Sequence, residues 1–176
     1  MKKYVITGGP CSGKSTLIKR IKEKGYSILE EIARKIILER KEVPLTSKEQ
    51  AYRQRLILSA QVREELILNS EFVFLDRSII DNFAYQNYLL GGIIQSSVEE
   101  TKDLPRYDKI FFLERLPFEK DGLRIEKGDS EAEEIHNEIF KQYKLRGYNP
   151  VKVPVMDIDS RTGFVLKHIK KQNGLH

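Results

Sequence analysis

Residues 8–15 combine glycines, a lysine and a serine at a spacing suited to binding phosphate groups. They match the pattern G-x-x-x-x-G-K-[ST] at every fixed position. Such glycines let the backbone form a concave nest whose N–H groups point at phosphate oxygens, and the following helix adds the positive end of its dipole. We predict that nucleotide phosphates bind at Gly8, Gly9, Pro10, Cys11, Ser12, Gly13, Lys14, Ser15 and Thr16.

Three side chains of this phosphate loop invite specific interpretations. Lys14 can reach the β- and γ-phosphates of ATP or GTP, and the Ser15 hydroxyl can ligate Mg²⁺. Cys11 is either a thiol activated by the helix start or a small residue tolerated at a variable position, and the second interpretation is simpler. The whole match would arise by chance in roughly 0.5% of chains this long.

The carboxylate of Asp76 ends the apolar run of residues 72–75. A polar residue at the carboxyl end of a strand in an open α/β sheet lies at the ligand crevice. Burial there is costly for a bare carboxylate unless a cation or hydrogen bonds satisfy it. We interpret Asp76 as the residue that holds the water shell of Mg²⁺, or as a base for an acceptor hydroxyl. A helix N-cap is the alternative.

Glu30 and Glu31 follow the second strand candidate and also lie at a carboxyl end. Glu31 and Arg34 are three residues apart, so their side chains share a helix face and can point into one cleft. A salt-bridged surface turn is the alternative, because 32% of the chain is charged. Asp81 either faces the same cleft or lies on a helix surface.

The elements that must position these groups alternate between short strands and helices. The strand candidates span residues 3–7, 26–29, 72–76, 109–113 and 151–155, the last interrupted by a proline and suited to an edge. The helix candidates span residues 14–24, 32–43, 46–69, 79–90, 130–145 and 162–171, and Thr46 with Glu49 forms a capping-box pattern. This alternation predicts a three-layer α/β fold with a mainly parallel sheet of about five strands flanked by helices.

Length and composition restrict the class of protein. At about 150 residues per domain, 176 residues predict a single domain spanning 1–176. One cysteine excludes an internal disulfide framework and a multi-cysteine zinc site. Apolar runs reach four residues, whereas a membrane span needs about 20, and the N-terminus does not resemble a signal peptide. We therefore expect no membrane span and a cytoplasmic location.

The net positive charge and the histidines do not indicate a particular function. The formal charge of +5 fits either a solvated basic surface or an anionic ligand. The basic segment 167–171 either contacts nucleic acid or lipid or is a solvated helix end. His136, His168 and His176 show no metal-ligand spacing, and we expect them on the surface. The absence of Asn-Lys-x-Asp counts against a GTPase switch.

Four segments, taken in order, resemble the P-loop kinases, the group of nucleoside, nucleotide and nicotinamide riboside kinases. More closely, the chain resembles a family of small predicted ATPases in that group. The segments are the phosphate loop, Leu29-Glu30-Glu31-Ile32-Ala33-Arg34, Phe74-Leu75-Asp76-Arg77-Ser78 and Asp121-Gly122-Leu123-Arg124. The loop is specific to phosphate-binding NTPases, whereas the other three carry weight through their order and spacing.

The resemblance implies roles for the residues around the loop. A carboxylate at the place of Glu30 or Glu31 accepts the proton of the acceptor hydroxyl in nucleoside kinases, and Glu31 with Arg34 is similar to an acid–arginine pair of polynucleotide 5′-kinases. Asp81 is a further acceptor-site candidate. Arg77 would clamp phosphate or acceptor, as in the acid-Arg-Ser segment of deoxynucleoside kinases.

The segment 114–130 would be a kinase-type lid that presents Arg115 and Arg124 to the nucleotide, and Arg124 is the stronger candidate for catalysis. An ordinary basic loop is the alternative. The function implied is transfer of the γ-phosphoryl group of Mg²⁺-ATP to a hydroxyl of a small molecule or nucleic-acid end, of nucleoside, nucleotide or polynucleotide type. The competing hypothesis is a nucleotide-binding regulatory module or a slow NTPase.

Overall fold

The computed structural model describes residues 1–40, 46–117 and 128–173. Within these ranges the chain forms five strands and seven helices in alternation. They are β1 (Lys2–Thr7), α1 (Lys14–Glu23), β2 (Ile28–Leu29), α2 (Ile32–Arg40), α3 (Ser47–Leu66), β3 (Phe72–Asp76), α4 (Ile79–Leu90), α5 (Gln95–Thr101), β4 (Lys109–Leu113), α6 (Asp129–Leu145), β5 (Val151–Val153) and α7 (Ile158–Asn173).

The strands form one parallel sheet in the order β2-β3-β1-β4-β5. In β1, Tyr4 lies opposite Phe74 of β3 and Lys109 of β4. The strand predicted for an edge, β5, does lie at one, and the other edge is β2. Because all pairings are parallel, the carboxyl ends of β1, β2 and β3 lie along the same end of the sheet. The phosphate loop and the predicted carboxylates follow the strands at that end.

Helices cover both faces of the sheet, which confirms the three-layer prediction. On one face, α1 and α7 bury residues such as Leu17 and Val165 against Tyr4 and Ile6 of β1. On the other face, α4 and α6 pack against Val5 of β1 and its neighbours. Alternate residues of β1 therefore enter opposite layers, as the pleat of a strand requires.

Local sequence patterns predicted the boundaries of most helices and strands to within a few residues. Thr46 and Glu49 form the predicted capping box at the start of α3, and Gly91 ends α4 in a left-handed conformation. The strands β2 and β5 are shorter than predicted, and α7 begins at Ile158 rather than at residue 162. The helix α5 was not predicted, because its seven residues carry no apolar periodicity and its buried residue is Ser97.

Some predicted features fall outside the described residues. Arg124 and most of the predicted lid lie there, as do His176 and the side chains of the last two lysines in the basic segment 167–171. Among the described residues, no helix has both the length and the apolar character needed to cross a membrane.

Candidate active site

The phosphate loop joins β1 to α1 and folds back on its own lysine. Lys14 Nζ donates hydrogen bonds to the carbonyl oxygens of Gly8 at 2.8 Å and Gly9 at 2.7 Å, and to Ser12 Oγ at 3.1 Å. Burial, and next the charge of Arg77, lower the pKa of Lys14 to about 7. Phosphate oxygens would favour the charged ammonium, because an opposite charge raises the pKa of a lysine.

The start of α1 is arranged to leave backbone N–H groups available. Gly13 occupies the N-cap position in a left-handed conformation, with φ of 75°, and makes no side-chain capping bond. Cys11 is also left-handed, with φ of 56°, which is strained for a residue with a side chain. The first-turn N–H groups of a helix need partners, and an anion can supply them.

Asp76 lies at the end of β3 and is 7% exposed. Its Oδ1 atom is buried and has no hydrogen-bond partner among the described residues. Burial, and next the charge of Glu31, raise the pKa of Asp76 to about 7, although Lys14 and Arg77 oppose the shift. The N-cap of α4 is Ser78, so the alternative that Asp76 caps this helix is wrong.

Glu31 and Arg77 form an ion pair beside the loop. Arg77 Nε donates to Glu31 Oε1 at 2.8 Å, and Arg77 Nη1 lies 3.3 Å from Asp81 Oδ1. Burial acts to raise the pKa of Glu31, but the charges of Arg77 and Lys14 outweigh it and the pKa is lowered. Glu31 is therefore ionised at neutral pH. Arg77 itself adopts a left-handed backbone with φ of 70°.

Asp81 belongs to a buried network rather than to a helix surface. It completes a capping box with Ser78 at the start of α4, where the Ser78 N–H donates to Oδ2 at 2.9 Å. The hydroxyls of Thr7 and Tyr143 also donate to this carboxylate, the latter at 2.6 Å. With these partners, Asp81 orients Arg77 and the end of β1.

The structure separates the two adjacent glutamates. Glu30 is 71% exposed, accepts a hydrogen bond from Lys22 Nζ at 2.5 Å and does not line the cavity described below. It fits the surface-turn alternative. Glu31 and Arg34 both line the cavity, with Arg34 exposed at its rim.

A cavity of about 580 Å³ opens beside the loop, between α2, α3 and α4. Loop residues 10–16 form one wall, and apolar side chains such as Ile37, Ile57 and Leu89 form others. A pocket of this size with convergent polar groups is typical of small-molecule sites. Glu31 and the phosphate loop therefore line the same cavity.

A series of hydrogen bonds between amide side chains determines which group Gln54 presents to this cavity. The Ile94 N–H donates to Gln86 Oε1 at 2.9 Å, so Gln86 Nε2 donates to Asn82 Oδ1 at 2.7 Å. Asn82 Nδ2 then donates to Gln54 Oε1 at 2.9 Å. Gln54 lines the cavity, and its Nε2 group has no partner in the described part of the chain. The relay leaves Gln54 as a hydrogen-bond donor toward the cavity.

The start of the predicted lid is fastened to the loop. The Leu116 N–H donates to the Cys11 carbonyl oxygen at 2.7 Å. Arg115 forms an ion pair with Asp129, the first residue of α6, so the structure places its guanidinium at the base of the predicted lid.

Arg161 of α7 joins three chain segments behind the loop. Its guanidinium donates to the carbonyl oxygens of Ser12 at 2.7 Å, Pro154 at 2.9 Å and Glu114 at 3.1 Å. It is 3% exposed. Its role could not be predicted from the sequence, because nothing near residue 161 in the chain indicates a contact with the loop.

The contact of His136 with the loop and the position of Gln54 at the cavity were also not predicted from the sequence. His136 was expected on the surface, but it is half-buried and its Nδ1 accepts a hydrogen bond from the Gly9 N–H at 3.0 Å. His168 is half-buried as well and packs on Phe164 at 4.3 Å between ring centroids. For Gln54 a signal existed, since it interrupts a face of α3 whose other buried residues include Ile57 and Leu58.

Solved structures share this fold. Deoxyadenosine kinase from M. mycoides with bound dCTP superposes with a TM-score of 0.67 at 17% identity, covering 96% of this chain and 99% of that one. Thymidylate kinase from Candida albicans gives 0.63 at 19% identity, covering 99% and 93%. NadR in complex with NR gives 0.67 at 21% identity, covering 99% of this chain and 50% of that one.

At such identities the superpositions establish the fold, which is that of the P-loop kinases. No curated protein matches the chain. A family model described as an AAA domain matches residues 3–161, nearly the whole sequence. The phosphate loop, the parallel sheet and the side chains at its carboxyl edge all lie within that match, and the chain belongs to this AAA domain family.

Proposed function

We propose that the protein is an ATP- or GTP-dependent phosphotransferase that moves the γ-phosphoryl group to a hydroxyl of a nucleoside-, nucleotide- or polynucleotide-type acceptor. The observation that carries the proposal is the position of Glu31. Its ionised carboxylate lies on the cavity that residues 10–16 of the phosphate loop also line. A protein that only binds nucleotide needs the loop, whereas a kinase also needs an acceptor space with a proton acceptor in it.

The residues divide the work of transfer between them. The loop N–H groups and Lys14 bind the phosphates, and Arg77 holds the Glu31 carboxylate toward the cavity. Glu31 accepts the proton of the attacking hydroxyl, or a hydrogen bond that orients it. Phosphoryl transfer needs little covalent chemistry from the protein, so positioning and neutralisation of charge supply most of the rate. Arg124 remains a predicted contributor from outside the described residues.

The residues also fit a magnesium ion, although the described ranges contain no group of three or more His, Cys, Asp or Glu side chains that could hold a metal ion by itself. Mg²⁺ usually binds through one or two carboxylates together with water and substrate phosphates, so such a cluster is not required. Asp76 has a buried oxygen without a hydrogen-bond partner among the described residues, and Ser15 lies in the first turn of α1. The Ser15 hydroxyl would ligate the ion and Asp76 would hold water bound to it, and the ion would neutralise phosphate charge.

Gln54 adds a feature of the acceptor. Because the amide relay leaves its Nε2 as a donor, the group that enters the cavity should carry a hydrogen-bond acceptor such as a carbonyl oxygen or ring nitrogen. The apolar walls favour a flat or hydrocarbon body around that atom. Both features suit a nucleobase.

The proposal is tested by incubating the protein with γ-labelled ATP or GTP, Mg²⁺ and a panel of nucleosides, nucleotides and 5′-hydroxyl oligonucleotides. Label on one acceptor class supports a kinase, and Lys14→Ala should abolish that transfer because the loop cation is lost. Exposed Lys19 on α1 provides the matched control, Lys19→Ala. Label released only to water with every acceptor would contradict the kinase and leave an NTPase or nucleotide-binding module.

A further inference from the structure

The peptide unit between Gly8 and Gly9 is held at both ends. Its N–H, on Gly9, donates to His136 Nδ1 at 3.0 Å. Its C=O, on Gly8, accepts from Lys14 Nζ at 2.8 Å. Arg77 Nη1 reaches the same oxygen only at 3.5 Å, the limit of a hydrogen bond. The side chains of His136 and Lys14 thus set the orientation of this peptide.

This peptide has unusual freedom to rotate. Both flanking residues are glycines, which lack the Cβ atom that restricts other residues. Gly8 has φ of 142°, a conformation that residues with side chains rarely adopt. When Lys14 turns to the phosphates, as the proposed function requires, the Gly8 oxygen loses its shortest contact. The hydrogen bond to His136 is then the main restraint on the peptide.

Packing on several sides holds the His136 imidazole in position to keep this hydrogen bond. His136 lies on α6 beside buried Ile135 and Ile139, and its ring packs on Phe112 at 4.5 Å between centroids. A Cβ atom on Gly9 would lie 2.6 Å from His136 Cβ, so this glycine is needed for the close approach of α6. Burial, followed by the charges of Arg115, Lys14 and Lys152, lowers the pKa of His136 to about 4. The ring is therefore neutral at physiological pH, with Nδ1 as the acceptor.

We propose that His136 is a positioning residue that keeps the Gly8–Gly9 peptide in its phosphate-binding orientation when Lys14 engages the nucleotide. It acts through the backbone of the loop and touches no reacting atom. The inference rests on the proposed function for the movement of Lys14, but it requires only nucleotide binding and no particular acceptor.

Three substitutions separate this role from simple packing. In His136→Asn, the amide oxygen can take the place of Nδ1 because both atoms are two bonds from Cβ. His136→Leu fills similar space without an acceptor. His136→Gln keeps an acceptor but moves it one bond farther out, and it replaces the leucine variant should that one not fold.

The measurements are the affinity for Mg²⁺-ADP by calorimetry, hydrogen exchange of the Gly9 amide by NMR, and thermal unfolding without nucleotide. Loss of one hydrogen bond should weaken ADP binding about fivefold to tenfold in the leucine and glutamine variants, with faster Gly9 exchange. The asparagine variant should stay within about threefold of the parent, since it keeps the bond. Equal ADP affinity in all variants, or an asparagine variant as weak as the leucine variant, would overturn the proposal.

The failure of this inference is distinct from failure of the proposed function. ADP affinity is measured without any acceptor, so a parent protein that binds ADP but transfers no phosphoryl group still gives a result for His136. If transfer occurs and all three variants bind ADP like the parent, the kinase stands and the role of His136 is wrong. If the parent binds no ADP or ATP, both are wrong.

Discussion

Arg77 Nε lies 2.8 Å from Glu31 Oε1, and this contact joins residues 46 positions apart across the ends of β2 and β3. Both side chains are largely buried, with 12% and 20% of their surfaces exposed. The pair therefore orients the carboxylate far better than a solvated ion pair would. It gives Glu31 a defined direction toward the cavity, while adjacent Glu30 faces solvent and pairs with Lys22.

Replacing Glu31 with glutamine should impair transfer much more than nucleotide binding. The amide cannot accept the hydroxyl proton, and loss of a general base typically costs about 10²- to 10⁴-fold in rate. Steady-state kinetics with the identified acceptor and calorimetry with ADP measure the two effects separately. Glu30→Gln is the matched control, since it makes the same change one residue away. Equal losses in both variants would contradict the assignment.

Asp76→Asn should lower activity and raise stability. Burial, and next the charge of Glu31, disfavour the ionised carboxylate in the metal-free protein, so its replacement by a neutral amide should raise Tm by about 2–4 °C. Loss of a group that orders metal-bound water should raise the half-saturating Mg²⁺ concentration by about tenfold or more. Differential scanning fluorimetry without metal and a magnesium titration of activity measure these changes. A lower Tm together with an unchanged magnesium requirement would remove Asp76 from the site.

Gln54→Glu should raise the acceptor KM without changing ADP affinity. The substitution turns the donor that faces the cavity into a carboxylate, which leaves the acceptor's polar atom without its hydrogen bond; the expected cost is about tenfold or more. Ser59→Glu adds the same charge to an exposed position of α3 and serves as the control. An unchanged KM in the Gln54 variant would show that the acceptor does not reach this residue.

The loss of folding stability at acidic pH should show that His136 is buried as a neutral imidazole. The pKa of His136 is lowered to about 4 in the folded protein, whereas an unfolded histidine titrates near 6.5. Between these values the unfolded state binds the extra proton, so this histidine's contribution to stability falls as pH drops from about 6.5 toward 4. Denaturant unfolding across this range should show the parent losing stability faster than His136→Asn. Parallel curves would contradict the burial of a neutral imidazole.

The phosphate loop, the strands β3 and β4 and the capping box of α3 were predictable from the chain because each is a local structure. A glycine pattern dictates its own backbone, an unbroken apolar run predicts a buried strand, and Thr46 caps a helix through Glu49 only three residues away. The carboxylates could be assigned to a crevice for a similar reason, since parallel strands end at one edge. Whether Glu30 or Glu31 faces that crevice could not be predicted, because the choice depends on Arg77.

The contacts that complete the site were decided by tertiary structure. Gly9 and His136 are 127 residues apart, and Ser12 and Arg161 are 149 apart. No local pattern encodes such pairs, because they arise when α6 and α7 pack onto the sheet and bring their side chains to the loop. The amide relay that turns Gln54 toward the cavity likewise depends on α3 and α4 lying side by side. Local preferences determine which residues form the loop, while packing between distant helices determines what holds the loop and faces its ligand.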